Sequence, residues 1–179
     1  MEMSVPEVEL GLDTSPSAFA AFYEQALPGV YGYFFHRCGG SVAVAEDLTQ
    51  EACLAAVVEL QKGKQVRAPI AWIYGIARHK LLDHYRRIQR ADRHVTLDPT
   101  SEEASGELPA PDEAGARDRV MAALGAVVAS QRAALVLCYV DGYSVAEAAR
   151  LLGKSAEAVE SLLARGRNGF KRAYLEGQT

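Results

Sequence analysis

Eighteen consecutive residues near the middle of the chain, DPTSEEASGELPAPDEAG from Asp98 to Gly115, hold three Pro, two Gly and six acids and show no apolar periodicity. Such a stretch cannot bury enough surface to offset the entropy of ordering itself, so it separates two differently patterned halves. The full length of 179 residues allows one domain or two small ones, and an apolar share of 49% can furnish cores for either. The pattern points to two: a tail over 1–16, a helical unit over 17–96, a linker over 97–116 and a second helical unit over 117–176. At about 3.3 to 3.6 Å per extended residue the linker reaches several tens of Å, so the flanking units need not touch.

Both halves read as helices, which makes the expected fold class all-α. Before the linker, Ser17 is placed to cap a helix to about Gln25, and Pro28 to open a second helix through Arg37. Cys38-Gly39-Gly40-Ser41 makes a turn. A third helix runs from Val42 to about Leu60, breaks at Gln61-Lys62-Gly63-Lys64, and is followed by a fourth from Pro69. In that last helix Ile70, Ile73, Tyr74, Ala77, Leu81, Tyr85 and Ile88 fall on one stripe at about 100° per residue, as a core-facing helix requires. Trp72, His79, Arg86 and Arg90 project to the other side, where an aromatic ring among cations suits a nucleic-acid backbone and its bases. An ordinary solvated helix face is the competing reading of that segment by itself.

The charges are sorted along the chain. The net charge is −4, yet residues 1–60 carry −8, residues 61–96 carry +7, residues 97–119 carry −5 and residues 120–179 carry +2. Segregation of this kind fits a protein that meets both a basic partner and a polyanion better than one that needs only solubility.

After the linker, helices are expected over Arg117–Val128 and Ser130–Val140, with a break at Asp141-Gly142-Tyr143. Ser144 with Glu147 three residues on forms a capping-box signature, Gly153 should stop that helix, and Ser155 should cap another running to about Tyr174. Ala149, Gly153, Val159 and Leu162 then have helix-turn-helix spacing: a small residue where two helices cross, a glycine in the turn and two apolar anchors on the second helix. Ala156, Glu157, Glu160, Ser161 and Ala164 face outward, and Arg165, Arg167, Lys171 and Arg172 follow as cations suited to phosphates. A plain helical hairpin would show similar spacing.

With these motifs in order, the chain resembles the sigma-70 family of bacterial RNA polymerase sigma factors, in its two-domain extracytoplasmic-function (ECF) type. The resemblance rests on Asp47-Leu48-Thr49-Gln50-Glu51, then Ala71-Trp72-Ile73-Tyr74-Gly75-Ile76-Ala77-Arg78, then Asp83-His84-Tyr85-Arg86-Arg87, and finally Ser144-Val145-Ala146-Glu147-Ala148-Ala149 through Leu162. It covers roughly residues 17 to 174 and implies a region two domain, an acidic linker and a region four helix-turn-helix domain. It also implies that Asp47, Leu48, Gln50 and Glu51 bind core RNA polymerase. By the same resemblance, Lys62, Lys64, Arg67, Trp72, Arg78, His79, Lys80, Arg86 and Arg87 would take the promoter's minus-ten DNA, with the melted strand held by stacking and charge neutralisation. Ser155, Ala156, Glu157, Glu160, Ser161, Arg165, Arg167 and Lys171 would meet the minus-thirty-five DNA. The linker would mimic nucleic-acid charge in polymerase channels, and an anti-sigma factor is implied as a controlling partner.

The chain departs from the family in places. Ala158, Glu160 and Leu163 stand where the recognition helix usually has Thr, Lys and Arg, so Glu160 either accepts from a cytosine amino group or weakens minus-thirty-five binding. Leu163 could extend a partner interface, and His79 stands where Asn is frequent.

No enzyme is expected: His36, His79, His84 and His94 form no metal motif, and neither a nucleophile elbow nor a phosphate-binding loop is present. No cofactor is expected either. Cys38, Cys53 and Cys138 are odd in number and scattered, which favours buried free thiols over a disulfide framework or a zinc module. The chain shows no apolar run long enough for a membrane span and no secretory signal, so membrane insertion is not expected and the expected location is the cytoplasm. Two alternatives remain from the sequence: a stand-alone helix-turn-helix regulator, and a sigma-like interaction module without promoter activity.

Overall fold

A computed structural model of the protein describes residues 16–91 and 115–177, so the expected tail and linker lie almost wholly outside the described residues. Those described are helical, with no strand among them: α1 (Pro16–Arg37), α2 (Val42–Gln61), α3 (Pro69–Ala91), α4 (Ala116–Ala126), α5 (Ala129–Leu135), α6 (Val145–Leu152) and α7 (Ala156–Glu176). A π-helical turn, Val136–Val140, continues α5.

The helix expected to end near Gln25 and restart at Pro28 is instead one element, with Pro28 inside α1. A proline in mid-helix removes a hydrogen bond and crowds the preceding turn, at a cost of about 3 kcal/mol. Phe22, Ala26, Val30 and Phe34 recur every fourth residue across that point and are all buried. Their common face keeps the helix running through the defect, since two or three fully buried apolar side chains at about 1.5 to 3 kcal/mol each outweigh it.

Other helix ends follow their local chemistry. Ser41 caps α2, accepting from Val44 N. Ser144 Oγ accepts from Glu147 N while the Glu147 carboxylate accepts from Ser144 N at 2.9 Å, closing the capping box at the start of α6. Gly153 ends α6 at φ +64, a left-handed conformation that penalises any residue with a Cβ. Ser155 then caps α7 by accepting from Ala158 N. Across this turn Ala149, Val159 and Leu162 are buried, as helix-turn-helix packing demands.

The two halves share one continuous apolar core. Helix α3 lies against α1 and α2 on one side and against α5 and α6 on the other. Among the described residues several polar links tie the halves together: Arg37 donates to Asp141 Oδ1 from Nε at 3.1 Å and Nη2 at 2.7 Å, Arg86 Nε to the Leu151 carbonyl at 2.8 Å, and Gln89 Nε2 to the Ser130 carbonyl at 2.9 Å, while Arg117 Nη2 lies 2.7 Å from His36 Nε2. Gln89 is fully buried and its Oε1 has no hydrogen-bond partner, which makes this interface costlier than an apolar one. The stripe on α3 accordingly differs from the sequence expectation. Ile70 is exposed, Tyr74 and Ile88 are only partly buried, and Ile76, Leu82 and Gln89 join Ile73, Ala77, Leu81 and Tyr85 inside. A helix packed from two sides buries a band wider than one stripe.

At the junction backbone meets backbone. A Cβ on Gly125 would stand 2.7 Å from the Gly39 carbonyl oxygen. Arg132 Nη1 lies beside Gly39 and donates to the carbonyls of Leu124, Gly125 and Val127, satisfying the C-terminal end of α4. Gly125→Ala should therefore lower unfolding stability by about 1 to 3 kcal/mol, because the obstacle is backbone and cannot rotate away. Gly32→Ala, in mid-helix with nothing within 4 Å, should raise it by roughly 0.5 to 1 kcal/mol. Urea unfolding of the two variants measures both, and equal effects would refute the close approach.

Candidate nucleic-acid and partner interface

Helix α2 presents acids outward. Asp47 and Gln50 are exposed and Glu51 is half-buried, with Leu54 (67% exposed) and Val58 (44%) continuing the outer face. Leu48 does not belong to this surface. It is fully buried on the inward stripe with Ala45, Ala52 and Ala56, so its place in the acidic motif is one of core packing. Glu51 is shared with α3: its carboxylate meets Lys80 at 3.2 Å and Arg87 at 3.5 Å.

The cations gather on the loop after α2 and along α3. Lys62, Lys64, Arg67, Arg78, His79 and Arg87 are exposed, while Lys80 and Arg86 are half-buried. Several have carboxylate partners: Lys64 pairs with Glu59 at 2.5 Å, and Arg86 Nη1 with Asp83 at 2.9 Å. Pairs this exposed are worth at most about 1 kcal/mol, so a phosphate can compete for the cations. Trp72 is half-buried against the core, and its Nε1 donates to Glu59 Oε2 at 3.0 Å. The C-terminal half covers part of this face. Arg86 is bonded to the end of α6, and the Arg78 guanidinium lies 5.2 Å from the ring centroid of Tyr143.

On α7 the outward positions are as the spacing predicts. Ser155, Ala156, Glu157, Glu160, Ser161 and Ala164 are exposed, Arg167 is exposed, and Arg165 and Lys171 are half-buried. Arg165 Nε donates to the Ser161 carbonyl at 3.3 Å, and Arg167 Nη1 to the Tyr139 hydroxyl at 3.0 Å. Hydrogen bonds from its own backbone N–H and from Ser155 hold the Glu157 carboxyl below its usual range, so it stays anionic in the first turn of the helix. Leu163 does not extend a partner surface, being 5% exposed in the core.

Nothing in the sequence marks Glu59, and Asp83 is marked only within a family motif and Asp141 and Tyr143 only as a helix break, not as partners of these cations. Their partners lie 3 to 104 residues away, and only the Asp83–Arg86 pair has a helical spacing that sequence inspection could have found. Among the described residues no group of three or more His, Cys, Asp or Glu gathers to hold a metal ion. All three cysteines are free, and burial pushes the Cys38 thiol up to about 11, far from a reactive thiolate. No helix among the described residues is long and apolar enough to cross a membrane.

With this geometry in place, comparison with known proteins gives two family matches. The Sigma-70 region 2 model matches residues 22–91, and the model for Sigma-70, region 4 matches residues 117–168. The ECF RNA polymerase sigma factor BldN of Streptomyces coelicolor is 34% identical over 150 residues, covering 81% of this chain and 56% of its own, so this chain spans little more than half of BldN. The ECF RNA polymerase sigma factor SigF of Caulobacter vibrioides is 31% identical over 159 residues, covering 87% of this chain and 84% of its own. A solved structure of the sigma factor RpoE with the anti-sigma factor NepR from Bartonella quintana is 20% identical with a TM-score of 0.45, covering 87% of this chain and 95% of that one.

One titration tests the α2–α3 packing. His84 is driven below its ordinary value, first by burial and then by Arg87 and Arg132, with Glu51 and Asp47 opposing. Its folded form is the neutral one, so the unfolded chain takes up protons first as pH falls. Stability should be fully present above about 6.5 and decline as pH drops through the lowered folded value. Thermal unfolding between pH 7.5 and about 5 should show this decline, and His84→Gln should flatten it. An unchanged slope in the variant would assign the effect to other groups.

Proposed function

The chain belongs to the ECF-type sigma factors of the sigma-70 family, and we propose that it binds core RNA polymerase, directs it to promoters and assists their melting. The observation that carries this reading is the placement of three surfaces on one chain. An acidic face on α2 suits a basic polymerase surface, a basic and aromatic face on α3 suits a melted strand, and the outward side of α7 suits duplex DNA. Polymerase contacts then fall to Asp47, Gln50 and Glu51, with Leu54 and Val58 beside them; Leu48 supports them from within.

The minus-ten strand would lie along Lys62, Lys64, Arg67, Trp72, Arg78, His79, Lys80, Arg86 and Arg87. The two family regions would act from a tail at 1–16, a domain over 17–96, a linker over 97–116 and a domain over 117–176. Because α6 and the turn before it occupy Arg86 and Arg78, promoter binding requires the halves to part. The Gln89 carbonyl without a partner lowers the cost of that separation. In the minus-thirty-five contact, Glu160 is exposed and would accept from a base amino group, since a carboxylate facing phosphate would repel it. The acidic and apolar face of α2 is also what an anti-sigma factor would cover to keep the protein inactive. The site of action is the cytoplasm, where polymerase and promoters are.

Transcription in vitro with core polymerase tests the reading. The chain should support initiation on a subset of genomic fragments, and Asp47→Arg with Gln50→Arg should reduce polymerase association at least tenfold by reversing charge on an exposed face. Arg67→Ala with Arg78→Ala, neither of which forms an ion pair with the acids of α2 among the described residues, should leave association intact and impair open-complex formation. Sequence-specific duplex binding by the chain alone, with no assembly on polymerase, would instead identify a stand-alone regulator.

A further inference from the structure

Three elements meet at a single oxygen beside the loop that joins α2 to α3. Glu59, near the end of α2, accepts Trp72 Nε1 from the first turn of α3 at 3.0 Å and Lys64 Nζ from the loop at 2.5 Å, both on Oε2. The Lys64 ammonium also stands 6.0 Å from the centroid of the indole. The loop is itself shaped: Gly63 turns it at φ +82, Val66 is buried as its apolar anchor, and Lys62, Gln65 and Arg67 remain exposed.

A carboxylate bonded to the indole N–H fixes the rotation of the ring, and a fixed ring stacks on a base without paying for its own ordering. The same carboxylate pairs with Lys64; the pair is too exposed to hold Lys64 against a phosphate, but the negative charge of Glu59 makes this corner less attractive to one than the exposed Lys62 and Arg67 are. Resting on the reading of α3 as the strand-capturing face, we infer that Glu59 is a positioning residue for base capture. It fixes the Trp72 ring for stacking on a base, and it makes phosphates favour the exposed Lys62 and Arg67 over the indole corner. Glu59 thereby decides that this corner of the site meets a base and not the sugar–phosphate backbone.

Trp72 is the single tryptophan of the chain, so its emission reports on this site directly. The test uses the full chain, free and assembled with core polymerase, as wild type, Glu59→Gln and Glu59→Ala. Each is titrated with non-template minus-ten oligonucleotides and with an abasic strand of equal length. Each holoenzyme is then assayed on promoters in which single minus-ten bases are replaced. Glu59→Ala should shift the Trp72 emission, weaken oligonucleotide binding by about tenfold, tighten binding of the abasic strand and flatten the preference among minus-ten bases. Glu59→Gln keeps an acceptor for the indole and loses the charge. It should restore the emission and most of the base preference while retaining the tighter abasic binding.

Wild-type emission and an unaltered base profile in Glu59→Ala would overturn the inference. So would a uniform loss of binding that follows lost thermal stability and leaves the base profile unchanged, because that is a structural role. Failure of the wild-type holoenzyme to initiate on any promoter counts against the sigma reading, while the emission and abasic-strand series still decide the role of Glu59.

Discussion

Helix α3 is packed from two sides, and that double burial is what the rest of the structure depends on. Its inner residues Ile73, Ala77 and Leu81 complete the apolar core, and Tyr85 reaches across to donate to the Arg37 carbonyl at the end of α1 at 3.0 Å. Burial pushes the Tyr85 hydroxyl well above its ordinary range, so it remains a donor at any physiological pH. Next to it Arg86, and one turn on Gln89, hold carbonyls of the C-terminal half. A helix asked to serve two neighbours keeps limited free surface, and Trp72, Arg78, His79, Lys80 and Arg87 lie within what remains.

This economy explains the electrostatic pattern. Cations that would otherwise repel one another along α3 are interleaved with Glu51, Glu59 and Asp83. The interleaving costs little and holds little, because these pairs reach water and are screened by salt. Glu51 belongs at once to the acidic face of α2 and to the basic face of α3. Its ion pairs with Lys80 and Arg87 tie the two faces together through one side chain.

Much was legible in the sequence wherever the cause of structure is local. Ser144 with Glu147, Gly153 and Ser155 each dictate a backbone event within four residues, and the turn of the helix-turn-helix follows them closely. The break at Gly39-Gly40 and the start of α3 at Pro69 are of the same kind. Pro28 misled because its local effect is real but smaller than the burial of Phe22, Ala26, Val30 and Phe34, which no window around the proline weighs. Leu48 and Leu163 misled for a related reason: a motif names neighbours along the chain, and only packing decides which of them turns inward.

Composition, charge order and capping signals by themselves determined an all-helical chain in two patterned halves, with acids on one helix, cations on the next and a helix-turn-helix beyond. They act over a few residues, or need only counting, so one dimension contains them. The tertiary structure alone decided that the halves share a core, that Gly39 and Gly125 bring backbone against backbone, and that Glu59 holds Trp72 and Lys64. Those contacts join residues far apart in the chain, and their energies arise from shape and burial that exist only once the helices have packed.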